Sequence, residues 1–109
     1  MIEAILYLNK DDNKYVGFDI SGHAKYRRVG KDIVCSAVSI LSTTIVNSFE
    51  AFTDFDIEGE YDPKGSIKFR ITSNLDEKSQ LLLSTLALGL TDISNEYGEK
   101  YLKVHYKEV

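Results

Sequence analysis

The chain contains one cysteine, Cys35, and its position favours a reactive thiol. Cys35 follows Asp32 by three residues, at the predicted start of a long helix. Unpaired backbone N–H groups and the helix dipole stabilise negative charge at such a position, and the thiolate is the nucleophilic form of cysteine. A lone cysteine also serves as a small apolar filler in many cores, so the interpretation depends on its neighbours.

His23 is the candidate base for this thiol. It follows Gly22 at the end of a predicted strand, and the eight residues 24–31 separate it from Asp32. An ionised Asp32 beside Cys35 disfavours the thiolate, so the chemistry calls for a base. The connection is longer than most strand-to-helix links and is typical of a binding loop. The alternative is that His23 is a solvated residue at a strand end.

Other catalytic chemistries lack support in the sequence. There is no glycine-rich phosphate loop, no HExxH motif and no cluster of Cys and His at zinc-ligand spacing, so we predict no metal and no cofactor. His105 alternates with Lys103 and Lys107 and is interpreted as a surface residue. The acidic residues at 54, 56 and 58 are interpreted as solvated.

Length and composition predict one domain, 1–109, with a single core. The net charge of −4 argues against general nucleic-acid binding, and one cysteine excludes an internal disulfide. We predict a cytoplasmic protein with no transmembrane segment, because the N-terminus lacks a signal-peptide pattern and the uncharged run 33–49 is interrupted by Ser, Thr and Asn. One basic cluster, within residues 25–31, could bind RNA or an acidic partner.

The hydrophobic periodicity predicts five strands and two helices. Alternating residues indicate hairpins near 2–20 and 56–71, and a final strand near 102–107. A helical period begins after Asp32 as the N-cap, and a second follows Asn74, whose spacing to Glu77 resembles a capping box, and ends at Gly98. The order ββαββαβ predicts an α+β, two-layer fold: a mixed sheet with both helices packed on one face.

On the first helix, Cys35 is predicted to border the core. At about 100° per residue it lies a quarter turn from Val34 and on the same side of the helix as Ser39, Ser42 and Val46, at the edge of the apolar stripe. With Asp32 as N-cap it is the third helical residue.

The residues around both candidates resemble a known signature. Gly22-His23-Ala24, the loop containing Gly30, and the run Asp32-Ile33-Val34-Cys35-Ser36-Ala37-Val38-Ser39 are similar to the motif of the bacterial ribosomal-processing cysteine protease family. The resemblance covers essentially the whole chain. It implies a cysteine endopeptidase that removes a short N-terminal extension from a large-subunit ribosomal protein, cutting after a hydrophobic or aromatic residue.

The resemblance also implies roles for individual residues. Cys35 falls on the family's nucleophile and His23 on its general base and acid, while Asp32 and Ser39 fall on its acidic and serine positions. Asp32 either caps the helix or orients His23, and the local spacing favours the cap.

The loop is expected to bind the substrate. Gly22 and Gly30 would serve as its pivots, and Tyr26 or Val29 would contact the apolar side chain of the peptide.

The implied partners are the peptide substrate and a second copy of the chain. Family members are generally homodimers, and a two-layer domain leaves one sheet face to cover. Neither a membrane nor direct nucleic-acid binding is required. An alternative function is a non-catalytic, ribosome-associated binding protein that uses the basic loop 24–31. A redox-sensing thiol is weaker, because the chain has no resolving cysteine.

Overall fold

The computed structural model describes residues 1–22, 29–62, 66–73 and 75–109, and for residues 29–32 the backbone only. The predicted order of elements is confirmed. The elements are β1 (Ile2–Leu8), β2 (Tyr15–Ser21), α1 (Val29–Phe52), β3 (Ile57–Asp62), β4 (Ser66–Ile71), α2 (Glu77–Tyr97) and β5 (Leu102–Glu108).

The five strands form one mixed sheet in the order β3-β4-β2-β1-β5. β1 pairs antiparallel with β2 and parallel with β5, while β4 pairs antiparallel with both β2 and β3. It follows that β2 and β3 run parallel, as do β4 and β5. Each helix connects one of these parallel pairs, so α1 and α2 run antiparallel to each other.

The core lies between one face of the sheet and the two helices, as the sequence predicts. It is built from alternate strand residues and from one stripe of each helix. Phe69 lies at its centre, with ring centroids 5.2 Å from Phe18 and 4.9 Å from Phe49. The fully buried members are Ala4, Leu6, Phe18, Ile20, Val34, Val38, Phe69, Leu83, Leu86, Leu90 and Leu102.

The opposite face of the sheet is charged rather than apolar. Pairing across the strands sets Glu58 beside Arg70, and Lys68 beside Asp19. The Arg70 guanidinium crosses over Gly17 and lies 3.7 Å from the centroid of the Tyr7 ring, which is only 9% exposed. This face is polar, so burial of apolar surface gives it no reason to pair with a second copy of the chain, and the homodimer stays a prediction.

The start of α1 differs from the prediction. The helix begins at Val29, so Asp32 lies inside it, and the prediction that Asp32 is the N-cap is wrong. The sequence predicts Gly30 in a loop, but a helical glycine costs only about 1 kcal/mol relative to alanine. Extending a nucleated helix gains one hydrogen bond per residue, which offsets that cost.

The start of α2 also differs. Its N-cap is Asp76, not Asn74, which lies outside the described residues. The Asp76 carboxylate accepts hydrogen bonds from the N–H groups of Lys78 and Ser79, at 2.8 and 3.1 Å, and the Asp76 N–H donates to the Ser79 hydroxyl at 3.2 Å. This segment contains two pairs of polar residues with capping-box spacing, 74/77 and 76/79, and the second pair forms the capping box.

Helix α1 is apolar enough to satisfy a simple test for a membrane span. By length and composition alone, Ile33–Phe52 could cross a bilayer, with a mean hydropathy of 1.4. Core helices of globular proteins satisfy the same test, and Val34, Val38, Ile45 and Phe49 are buried in the core of this one. The absence of a transmembrane segment stays a prediction.

Candidate active site

Cys35 borders the core, as predicted. It is half-buried and packs against the core cluster, next to the fully buried Val34 and the exposed Ser36. Ser39, Ser42 and Val46 follow at helical spacing on the same side of α1, and we call these four residues the Cys35 flank. Ser42 is buried, and its hydroxyl donates a hydrogen bond to the carbonyl of Val38 at 2.7 Å. This hydroxyl proton is therefore used within the helix.

The backbone around Cys35 stabilises a thiolate less than the sequence predicts. Cys35 lies six residues after Val29, beyond the first turn of α1, so the prediction that it is the third helical residue is wrong. The unpaired N–H groups of a helix belong to its first turn, and the influence of the dipole decreases within that turn. Activation of the thiol must therefore come from neighbouring side chains, such as a base.

Gly22 determines how the chain leaves β2. Its φ is +85°, and an added Cβ would lie 2.3 Å from the carbonyl oxygen of Met1. Only glycine fits this position without moving the backbone of the N-terminal strand. The chain therefore leaves β2 at a fixed point. That point lies at the end of the sheet where α1 begins, because α1 runs antiparallel to β2.

Several predicted site residues lie outside the described part of the chain. These are His23, Tyr26 and the basic side chains at positions 25, 27, 28 and 31. For Val29, Gly30 and Asp32 the structure gives the backbone only. Val29 and Gly30 belong to the first turn of α1, so their placement in a loop is wrong, and their contact with substrate stays a prediction.

A groove that the sequence did not reveal lies beside the Cys35 flank. It has a volume of about 300 Å³ and separates α1 from the hairpin of β3 and β4. Its lining residues are Val46, Glu50, Ile57, Gly59, Glu60, Tyr61, Ile67, Lys68 and Phe69. The one sequence feature that could have indicated this groove is Gly59, which lies between Ile57 and Tyr61 on one side of β3. A larger residue at this position would fill the space.

The second histidine is remote from this groove. His105 lies on the charged face of the sheet, with its Nε2 3.9 Å from Oε1 of Glu3 and both side chains substantially exposed. Its interpretation as a surface residue is confirmed. Within the described ranges, no group of three His, Cys, Asp or Glu side chains could hold a metal ion.

Comparison with known proteins identifies the family. The family model described as "Cysteine protease Prp" matches residues 1–103. The Ribosomal processing cysteine protease Prp of Staphylococcus aureus is 30% identical over 98 residues, covering 89% of this chain and 92% of that protein. The chain belongs to the Prp cysteine protease family. The predicted family and the predicted class of enzyme, a cysteine protease, are both confirmed.

Two crystal structures of Prp from S. aureus have the same fold. The complex with a substrate peptide has a TM-score of 0.89 and 28% identity, and covers 98% of this chain and all of that one. The complex with a covalently linked product peptide has a TM-score of 0.87 and 29% identity, with the same coverage. The predicted α+β fold is therefore confirmed. Because the chain belongs to the Prp family, a cysteine protease is favoured over the alternative of a non-catalytic binding protein.

Proposed function

We propose that this chain is a protease in which Cys35 is the nucleophile and His23 the general base, and that it removes the N-terminal extension of a large-subunit ribosomal protein. One observation carries the assignment of the nucleophile. A cysteine protease needs a cysteine, the chain belongs to such a family, and Cys35 is its only cysteine.

The choice of base rests on the two histidines. His105 lies on the sheet face opposite the helices, whereas Cys35 borders the core between sheet and helices. Gly22, which His23 follows in the sequence, lies at the end of the sheet where α1 begins. This arrangement supports His23 as the residue that exchanges protons with the thiol.

The reaction follows from acyl-transfer chemistry. His23 accepts the thiol proton, and Sγ of Cys35 attacks the scissile carbonyl carbon to give a tetrahedral intermediate. The C–N bond breaks as His23 donates its proton to the departing amine, which leaves a thioester on Cys35. Water, deprotonated by His23, then hydrolyses the thioester and releases the new carboxylate and the thiol. No cofactor or nucleic acid takes part.

Asp32 and Ser39 are assigned supporting roles. Because Asp32 lies within α1 and does not cap it, we assign it the alternative role of orienting His23. Ser39 lies one turn after Cys35 on the same flank and is half-buried, which suits a polar neighbour of the reacting group.

The proposed substrate is inferred from the relatives of this chain. The name of the S. aureus protein states ribosomal processing, and its structures hold a substrate peptide and a covalently linked product. We extend this substrate class to the present chain, with Tyr26 or Val29 contacting the apolar residue before the cleaved bond. Unchanged cleavage by a variant carrying both Tyr26→Ala and Val29→Ala would rule out that contact.

The test uses the purified protein and a peptide spanning the N-terminal extension of the ribosomal protein, with products read by mass spectrometry. We expect cleavage at one site by the native chain and none by Cys35→Ala or His23→Ala. Bound but uncleaved peptide with folded native protein would instead support a binding protein.

We further propose a cytoplasmic homodimer, which the family resemblance supports. Sedimentation should show a concentration-dependent mass approaching twice that of one chain. A monomer mass at every concentration would exclude the dimer.

A further inference from the structure

Among the residues that the structure describes, strand β3 is an edge of the sheet, and some of its backbone groups have no hydrogen-bond partner there. The N–H of Thr72 donates to the carbonyl of Asp56 at 2.8 Å, which makes Asp56 and Thr72 a hydrogen-bonded pair. Hydrogen-bonded pairs alternate along an antiparallel ladder, so residues 58, 60 and 62 also direct their backbone groups towards β4. The backbone N–H and C=O groups of Ile57, Gly59 and Tyr61 therefore point away from the sheet, where an extended peptide can pair with them.

The side chains of these same three residues face the groove. Gly59 pairs with the buried Phe69, so a side chain at position 59 would lie on the helix side of the sheet. Within the described part of the chain, a Cβ at Gly59 would meet only the Lys68 carbonyl oxygen, at 3.9 Å, so the space beside it is open to these residues. The groove of about 300 Å³ continues from this space to Val46. It is suited to one apolar side chain of a peptide that pairs with β3.

The groove and the nucleophile share one side of α1. Val46 lines the groove and belongs to the Cys35 flank. Because β3 runs parallel to β2, its C-terminal residue Tyr61 lies towards the end of the sheet where α1 begins. Tyr61 is 72% exposed on this side. A peptide along β3 would therefore run towards the end of α1 that carries Cys35.

The charge of the edge distinguishes a peptide substrate from a second copy of the chain. Acidic side chains stand at every second position from 54 to 62, and Glu50 lines the groove from α1. Pairing two copies of β3 would bring these carboxylates together, and opposed like charges destabilise strand pairing. A peptide with lysine or arginine beside its apolar residue meets no such repulsion.

We propose that the substrate peptide lies extended along β3, pairs with the backbone of Ile57, Gly59 and Tyr61, and places an apolar side chain in the groove beside Gly59 and Val46. This inference rests on the proposed protease function. It assigns Gly59 as a residue that determines substrate specificity.

The first test fills the groove with Gly59→Val. The open space around Gly59 predicts a folded variant, and valine favours strands. We expect KM for the extension peptide to increase by about 10-fold or more, since a misfit of even one methylene in an apolar pocket changes discrimination by roughly 10- to 200-fold. The rate at which iodoacetamide alkylates Cys35 should not change. An unchanged KM would overturn the proposal.

The matched control is Glu58→Val, which places the same side chain on the adjacent residue of β3 but on the opposite face of the sheet. We expect a KM within about threefold of the native value, the size of a surface change. An increase equal to that of Gly59→Val would assign the effect to the strand in general and overturn the role of the groove.

A second test leaves the protein unaltered and methylates single backbone nitrogens of the peptide. Strand pairing uses every second N–H of the peptide, so sensitivity should alternate along its length. Binding is measured by fluorescence polarisation with the labelled extension peptide and Cys35→Ala protein. Weakening at alternate positions supports the proposal, whereas uniform or absent weakening contradicts it.

These readouts separate the two proposals. If the native chain cleaves the peptide with no dependence on Gly59, the groove proposal fails and the protease function stands. If the native chain does not cleave but binding depends on Gly59 and alternates along the peptide, the groove proposal stands and the protease function fails.

Discussion

The two flanks of α1 face different surroundings. On one flank Leu41 lies against Gly89 of α2, where an added Cβ would be 2.6 Å from Cδ2 of Leu41. On the other, the Cys35 flank borders a groove in which a Cβ at Gly59 would meet, of the atoms that the structure describes, one oxygen at 3.9 Å. A single helix thus joins a close-packed interface to an open site. Substitutions on the first flank should change stability, and substitutions on the second should change chemistry.

The largest expected effect is the loss of cleavage in Cys35→Ala. Removing the nucleophile should lower kcat by about 10⁴-fold or more, as for nucleophiles of other proteases. Because Cys35 is only half-buried, the free energy of unfolding should fall by about 1 kcal/mol or less. Peptide cleavage and urea denaturation measure the two quantities. Thr44→Ala, at an exposed position of α1 off the Cys35 flank, is the control and should change neither.

The second prediction tests the interface of the two helices. Gly89→Val should lower the free energy of unfolding by about 1–3 kcal/mol, because Leu41 must move to make room. The iodoacetamide reactivity of Cys35 should be unchanged in the folded variant. The same substitution at Gly59 should leave stability within about 0.5 kcal/mol. Equal stability losses at the two glycines would contradict the difference between the flanks.

The third prediction concerns how α2 is held on the sheet. The Gln80 side chain accepts the N–H of Tyr15 at 2.6 Å and donates to its carbonyl at 2.9 Å, which joins α2 to the start of β2. Gln80→Ala should lower the free energy of unfolding by about 1–3 kcal/mol, since both backbone groups lose their partner. Leu81→Ala, at the neighbouring exposed position, should have a smaller effect in the same urea titration. A larger loss for Leu81→Ala would contradict this role.

The smallest expected effect is at the cap of α2. Asp76→Ala removes the acceptor for two N–H groups and should lower the free energy of unfolding by about 1 kcal/mol. Asp76→Asn keeps an acceptor oxygen and should retain most of that stability. Cleavage by both variants should match the native rate, because the cap is on the helix that does not carry Cys35. Equal destabilisation by the two variants would argue against capping.

Periodicity was sufficient to predict the fold, and insufficient to locate the helix ends. Apolar residues at period 2 or 3.6 identify each element, because each has one face to bury. Helix ends depend on small differences between competing caps. The pairs 74/77 and 76/79 have the same spacing, and residues 29–32 contain no proline to stop α1 from starting early.

The site was partly predictable for a related reason. The position of Cys35 at the border of the core follows from about 100° per residue along one helix, which a local pattern contains. The groove does not follow from such a pattern. It joins Val46, Gly59 and Phe69 only because the sheet order places β3 and β4 beside α1. That order depends on contacts between distant segments.

Covalent labelling of the nucleophile tests most directly whether Cys35, assisted by His23, is the attacking residue. A peptide matching the extension up to the cleaved bond, ending in a chloromethyl ketone, is mixed with the native protein and mapped by tryptic mass spectrometry. We expect one adduct per chain on Cys35, slower labelling in His23→Ala and none in Cys35→Ala. Labelling of another residue with Cys35 unmodified, or native-rate cleavage by Cys35→Ala, would contradict this assignment.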